Sequence, residues 1–208
     1  MTGTVIFDAF GTLLRITEGV HPYRQILKEG IRRGRRPKPD DAHVLMTQNL
    51  GLKEVADHLG IPISPDHMAE LQRALDHELE GIQTFDDGLQ AVALLQGAGV
   101  KVAVCSNLAA PYAEPIHRWY PSLNAYGFSF EIGAVKPDAL IYRRTCQLLG
   151  ITGYCDFNEG RVKMIGDSAR CDRDGARESG IQGYLLDRTG DGDFSNLLDF
   201  AQEVLLQH

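Results

Sequence analysis

Short apolar runs alternate along much of the chain with longer stretches of helical spacing. The first run, "TVIF" at 4–7, is apolar or β-branched at every position and ends on Asp8, the pattern of a strand buried on both faces. "DDGLQAVALLQGAG" (86–99) spaces its apolar residues as a helix does and stops on glycine. "VKVAVCSN" (100–107) is a β-branched run closing on small polar residues. "PDALIYRRTCQLLG" (137–150) predicts a helix opened by proline and ended by glycine. "RVKMIGDS" (161–168) predicts a strand, "CDRDGARESG" (171–180) a short helix and "QGYLLD" (182–187) a further strand. "FSNLLDFAQEVLLQ" (194–207) fits a terminal amphipathic helix. Short apolar strands joined by helices imply an α/β fold, a parallel sheet with helices on both faces.

Between about Thr17 and Gln83 the pattern changes. No strand is evident, and the spacing predicts helices around 21–34, 40–60 and 65–82, punctuated by "RPKP" and "GIPISP". A helical block inserted after the first strand sits above the sheet's C-terminal edge, where open α/β sheets bind ligands. The division that follows puts 1–15 and 85–208 in a core and 16–84 in a helical cap, with joints near 14–17 and 83–86 expected to flex.

Composition narrows the partners. A net charge of −7 over 208 residues speaks against a generic nucleic-acid binder. No apolar run reaches the roughly 18 residues of a membrane span. The chain opens into "TVIFD" without a basic stretch or cleavage site, so the expected location is cytoplasmic. Oligomeric state is open. The cysteines at 105, 146, 155 and 171 form no CxxC pair and read as free thiols. His77 and Glu78 lack HExxH spacing and read as a solvated helix face.

Each predicted strand ends in reactive residues. The first delivers Asp8, with Thr12 four positions later; the second ends at Ser106 and Asn107. "GAVKPD" places Lys136 just before a helix, and "GDSARCD" carries Asp167 and Asp172. In a parallel sheet these loops share one edge. Three aspartates brought together raise one another's pKa unless compensated. A lysine offsets one charge and a divalent cation the remainder; Mg²⁺ takes hard oxygen ligands from one or two carboxylates, waters and substrate phosphate. Asp8 is then placed to attack an electrophile held by Mg²⁺, Lys136 and the Ser106 hydroxyl, in phosphoryl transfer or displacement.

At these residues the chain resembles the haloacid dehalogenase (HAD) superfamily. The family's first motif, DxDxT, appears as Asp8-Ala9-Phe10-Gly11-Thr12, the second as Ser106, the third as Lys136 in "VKPD" and the fourth as "GDSARCD". The resemblance implies a Rossmann-like core with a helical cap between the first two motifs. It implies Asp8 as nucleophile, with Thr12, Ser106 and Lys136 in the catalytic set. It also implies Mg²⁺ held by Asp8, the backbone carbonyl of Phe10 and Asp167, with Asp172 supporting the metal.

Two departures pull apart. Family phosphatases carry an aspartate, two residues after the nucleophile, that protonates the leaving group; here Phe10 stands there. "FDAFGTL" resembles "FDAYGTL" of the dehalogenase branch, as do "SNL" and the six-residue step from Lys136 to Tyr142, which makes Phe10, Asn107 and Tyr142 candidates for touching substrate. The fourth motif, with Asp167 and Asp172, resembles the metal-dependent branch instead. Uncompensated acidic residues are costly, whereas a missing general acid slows catalysis. The reading is therefore a Mg²⁺-dependent hydrolase of a small anionic substrate, a phosphorylated metabolite. A 2-haloacid dehalogenase, or a catalytically idle member that binds a phosphometabolite, are the alternatives. "IRRGRRPK" (31–38) reads as a solvated helix end or as the source of one arginine for an anionic substrate. Tyr23, Trp119 and Tyr142 are aromatic candidates for shaping the pocket.

Overall fold

A computed structural model describes residues 3–152 and 160–207. Its centre is a five-stranded sheet of β1 (Thr4–Phe7), β4 (Lys101–Ser106), β5 (Ala125–Phe128), β6 (Val162–Gly166) and β7 (Gln182–Leu185). The strands are all parallel, in the order β5-β4-β1-β6-β7. β1 is therefore central, which is why its four residues are all buried. Its side chains alternate between two cores: Val5 and Phe7 join Leu95, Phe200 and Val204 on one face, while Ile6 joins Ile141, Cys146 and Met164 on the other. Helices α5 (Asp86–Gly97) and α10 (Leu197–Leu206) supply the first core, and α8 (Ala139–Leu148) the second. This is the Rossmann-like layering expected from the sequence.

The inserted block is helical: α1 (Pro22–Arg32), α2 (Asp41–Thr47), α3 (Leu52–His58) and α4 (Pro65–Glu80). Its own core gathers Tyr23, Ile26, Leu45, Leu52, Val55, Leu71 and Leu75. The helix expected over 40–60 is two helices, because the chain is extended at Gln48 and again at Gly51. Both joints enter a short antiparallel ribbon, β2 (Leu14–Arg15) against β3 (Gln83–Thr84).

β5 had no counterpart in the sequence pattern: four residues, "AYGF", are too few to show a period. It is followed by α7 (Ser129–Ile132) and preceded by α6 (Ala113–Trp119). The helix expected over 171–180 is a six-residue turn of wide π-type bonding, Ala169–Asp174, running into α9 (Gly175–Glu178). Cys105 and Cys146 are buried free thiols and Cys171 is a half-buried one, as read; Cys155 lies outside the described residues. Among the described residues no helix is long and apolar enough to cross a membrane.

Candidate active site

Sheet register brings the reactive residues together. Phe7 is level with Val104 on β4 and Ile165 on β6, so Asp8, Ser106 and Asp167 leave neighbouring strands at one edge. The Asp8 amide still donates to the Ile165 carbonyl (2.9 Å), which fixes the first residue of the loop against β6. Gly11 then turns the chain at φ +88°, and a Cβ there would stand 1.9 Å from Asp167 Oδ2. Gly166 is constrained likewise: a Cβ would meet Asp172 Oδ2 at 2.2 Å and the Asp8 Cβ at 2.7 Å. The acids approach one another because glycine leaves the space between them.

Lys136 is the hub. Its buried Nζ donates to Asp8 Oδ1 and to Asp172 Oδ1, each at 2.6 Å. Burial alone would lower its pKa, but the charges of Asp8 and Asp172 outweigh that and hold the ammonium well above its ordinary value. Asp8 moves the other way. Burial is the largest influence and, with the charge of Asp172, outweighs the attraction of Lys136, raising it to about 7. Asp172 is buried, and its second oxygen accepts the Ser168 amide (2.9 Å). Asp167 lies at the exposed rim and has no ion-pair partner among the described residues. Protein packed around it, and next the charge of Asp172, raise its pKa.

Carboxylate oxygens of Asp8, Asp167 and Asp172 lie within 4.8 Å of one another. Three carboxylates against one ammonium leave two negative charges uncompensated. The donors are hard oxygens, the set a divalent cation of the Mg²⁺ or Ca²⁺ type takes. On the same loop as Asp8, Thr12 Oγ1 is buried with no hydrogen-bond partner among the described residues, a polar atom free to meet a ligand. The cluster fits a divalent metal ion.

The other residues singled out from the sequence divide between the site's edge, its supports and the surface. Ser106 is buried at the end of β4, within the cluster's edge. Asn107 donates Nδ2–H to the Lys136 carbonyl (3.0 Å) and accepts the Lys136 amide (2.7 Å), so its amide holds Lys136 in place while the residue lines the cavity described below. Tyr142 is fully buried under the sheet, and its hydroxyl donates to the Cys171 carbonyl in the turn that carries Asp172. In this position it supports the fourth motif from behind and lines no part of the cavity described below. Trp119 is on the surface, its Nε1–H donating to the Ile82 carbonyl (3.1 Å).

A cavity of about 270 Å³ lies between the cap and the two core loops that follow Asp8 and Ser106. Phe10 forms part of its wall, edge-on to Tyr112 with ring centroids 5.8 Å apart. Tyr23 lines it too, its ring 6.4 Å from Tyr112. The basic run 31–38 does not line this cavity: Arg35 forks onto both oxygens of Asp41 at 2.6 Å, and Arg33 pairs with Glu29. Arg24, not singled out from the sequence, supplies the cation in the lining.

Glu78 corrects the expectation of a solvated helix face. It is buried and accepts the Val20 amide (2.6 Å), the His21 amide (2.7 Å) and the Tyr112 hydroxyl (2.6 Å). It thus ties the cap's entry joint to a loop of the core. The two amides it holds include that of His21, whose φ of 51° is an unfavourable left-handed conformation for a side chain with a Cβ. The spacing carried a sign of this: Leu71, Leu75 and Glu78 fall at i, i+4 and i+7, one stripe of α4.

Comparison with known proteins agrees with this geometry. The family model for haloacid dehalogenase-like hydrolases matches residues 2–180. A search of curated protein sequences returns no match. Among solved structures, a HAD phosphatase from Thermococcus onnurineus superposes with a TM-score of 0.64 at 17% identity, covering 98% of each chain. The L-2-haloacid dehalogenase of Xanthobacter autotrophicus with chloropropionic acid covalently bound gives 0.61 at 19% identity, covering 99% of each. CbbY from Rhodobacter sphaeroides in complex with phosphate gives 0.58 at 17%, covering 96% of each. At these identities the likeness establishes the fold alone. With four motifs meeting at one sheet edge and a family model spanning most of its length, the chain belongs to the haloacid dehalogenase-like hydrolases.

Proposed function

We propose that the protein is a Mg²⁺-dependent phosphatase of a small phosphorylated metabolite, with Asp8 as nucleophile. The observation that carries this reading is the acidic cluster, whose three carboxylates lie within 4.8 Å around a single lysine. Lys136 holds Asp8 Oδ1, so Oδ2 is the oxygen left to attack phosphorus. That attack needs the ionised carboxylate, which burial disfavours and positive charge restores. Asp8, Asp167 and the Phe10 carbonyl would hold the divalent cation, which would supply positive charge to the phosphate when bound. Asp172 keeps Lys136 oriented and buried, while Thr12 and Ser106 offer hydroxyls to the phosphate. The new O–P bond on Asp8 forms as the ester P–O bond breaks, and water then releases phosphate and restores the carboxylate.

Phe10 carries no proton to give the departing oxygen, and positioned acid catalysis is worth roughly 10²–10⁴-fold. The same residue favours a second reading, hydrolytic dehalogenation, in which halide leaves without a proton. The two separate in one experiment. Phosphate release from p-nitrophenyl phosphate is followed with Mg²⁺ and with EDTA, beside chloride release from 2-chloropropionate. The phosphatase reading expects turnover that needs Mg²⁺ and disappears in Asp8→Asn. Chloride release indifferent to EDTA, without phosphate release, would establish the dehalogenase instead.

A further inference from the structure

We propose that the substrate is the phosphate monoester of an apolar, ring-sized group whose oxygen leaves as a stable anion, a phenol-type ester and not a sugar or polyol phosphate. This rests on the phosphatase reading and names the substrate class of that site. Two separate features converge on it.

The first is what the cavity offers. Beside the catalytic loops it is walled by Phe10, Ile16, Leu45, Met46, Leu108 and Tyr112. Its polar side chains have little left to give. The Tyr112 hydroxyl is committed to Glu78 (2.6 Å) and the Tyr23 hydroxyl to the Leu50 carbonyl (3.1 Å). Both ends of the Asn107 amide are committed to the Lys136 backbone. The tyrosines therefore present rings and not hydroxyls. A polyol entering here exchanges water for mostly apolar walls, with Arg24 and His21 confined to the exposed side, which is unfavourable for each hydroxyl buried against the rings. A flat apolar group loses nothing and gains its burial. The cavity's 270 Å³ is enough for one ring with a short substituent. Arg24 and His21, both exposed, complete the lining and favour a substituent that carries negative charge.

The second feature is the leaving group. With Phe10 where a proton donor would stand, the ester oxygen departs with its electron pair and takes its proton afterwards from water. A phenolate leaves readily in this way, whereas an alkoxide bears the full loss of acid catalysis, roughly 10²–10⁴-fold. One side chain thus removes the acid and builds the wall, and both consequences select the same ester.

The test separates the pocket from the reaction. Binding of benzylphosphonate and of 2-hydroxyethylphosphonate, neither hydrolysable, is measured by calorimetry on the full chain with Mg²⁺. Benzylphosphonate is expected to bind at least about tenfold more tightly, the effect of burying a ring. Met46→Gln, a near-isosteric change at a partly exposed wall residue, is expected to narrow that gap several-fold. Turnover of phenyl and glycerol phosphates is measured in parallel, with p-nitrophenyl phosphate as the reference. Ring-selective binding without turnover of any ester would sink the phosphatase reading and leave the pocket assignment standing. Turnover of p-nitrophenyl phosphate with the two phosphonates bound alike, or with benzylphosphonate unbound, would overturn the substrate class and leave the phosphatase reading intact.

Discussion

Asp8 shows how far one side chain depends on its surroundings. Its carboxylate is buried beside a second buried carboxylate, and a single ammonium at 2.6 Å serves both. Its pKa stands near 7, above the ordinary value of 3.8, with burial the main cause. The sign of the stability effect follows. The folded protein binds a proton at Asp8 over a range where the unfolded chain has released it, so this group's contribution falls as pH rises from about 4 to about 7, then levels off. In EDTA, urea-denaturation stability should decline over that window, and Asp8→Asn should flatten the decline. An unchanged slope in the variant would show that Asp8 is already ionised at low pH. Lys136 contributes oppositely: its raised pKa adds stability below its unfolded value that is lost only when alkaline pH passes the folded one. Replacing Lys136 would expose the cost directly, because two buried carboxylates would then lose their shared partner.

At the scale of elements, what the sequence made legible was the core. β1, β4 and β6 were readable because central parallel strands are continuous apolar runs, and β7 was readable as a short apolar run although it lies at the sheet's edge. Asp8, Ser106 and Asp167 could be placed because each ends or follows such a run. β5, at the sheet's edge and four residues long, carried too little pattern. The cap was readable as helices but not as faces, since a stripe such as Leu71, Leu75 and Glu78 shows which residues share a side of α4 but not what that side packs against. Arg24 and Glu78 were missed for that reason, Tyr112 was missed because it sits in a short core loop with no periodic pattern, and Tyr142 was assigned to the cleft although it packs beneath the sheet. Glu78 gives the clearest test. On a solvated face its removal would shift stability by no more than about 0.5 kcal/mol. In the structure Glu78→Ala strands two amides and a hydroxyl, an expected loss of about 2–4 kcal/mol by chemical denaturation. Glu78→Gln, which keeps an acceptor, should lose less. A near-neutral alanine variant would mean that the link between α4 and Tyr112 is not made in solution.

Over the whole molecule, the site is assembled from two bodies that grip each other at several points. Arg118 and Trp119 of α6 donate to the carbonyls of Leu79 and Ile82 at the end of the cap (2.8 and 3.1 Å). On the core's other side, Arg188 lies 3.9 Å over the Phe85 ring, pairs with Asp87 and donates to the Thr12 carbonyl (2.9 Å). The nucleophile loop and the exit joint of the cap are therefore fastened to one arginine from the loop after β7. The excess negative charge lies beside this frame, where among the described residues Lys136 is the one ammonium hydrogen-bonded to the acids. A divalent ion that binds only the folded arrangement should stabilise the whole fold by RT ln(1 + [L]/Kd), about 2.7 kcal/mol at a hundred times Kd. For a chain of this length that is roughly 5–10 °C in Tm. Thermal unfolding with Mg²⁺ against EDTA should show the shift, and Asp167→Asn should reduce it sharply while leaving Lys136 and its two partners in place. Asp167 is the discriminating choice, because it lies at the rim and has no ion-pair partner among the described residues. A Tm indifferent to Mg²⁺ would detach the acidic cluster from metal chemistry and move the balance toward dehalogenation. An equal shift in Asp167→Asn would place the ion elsewhere on the molecule.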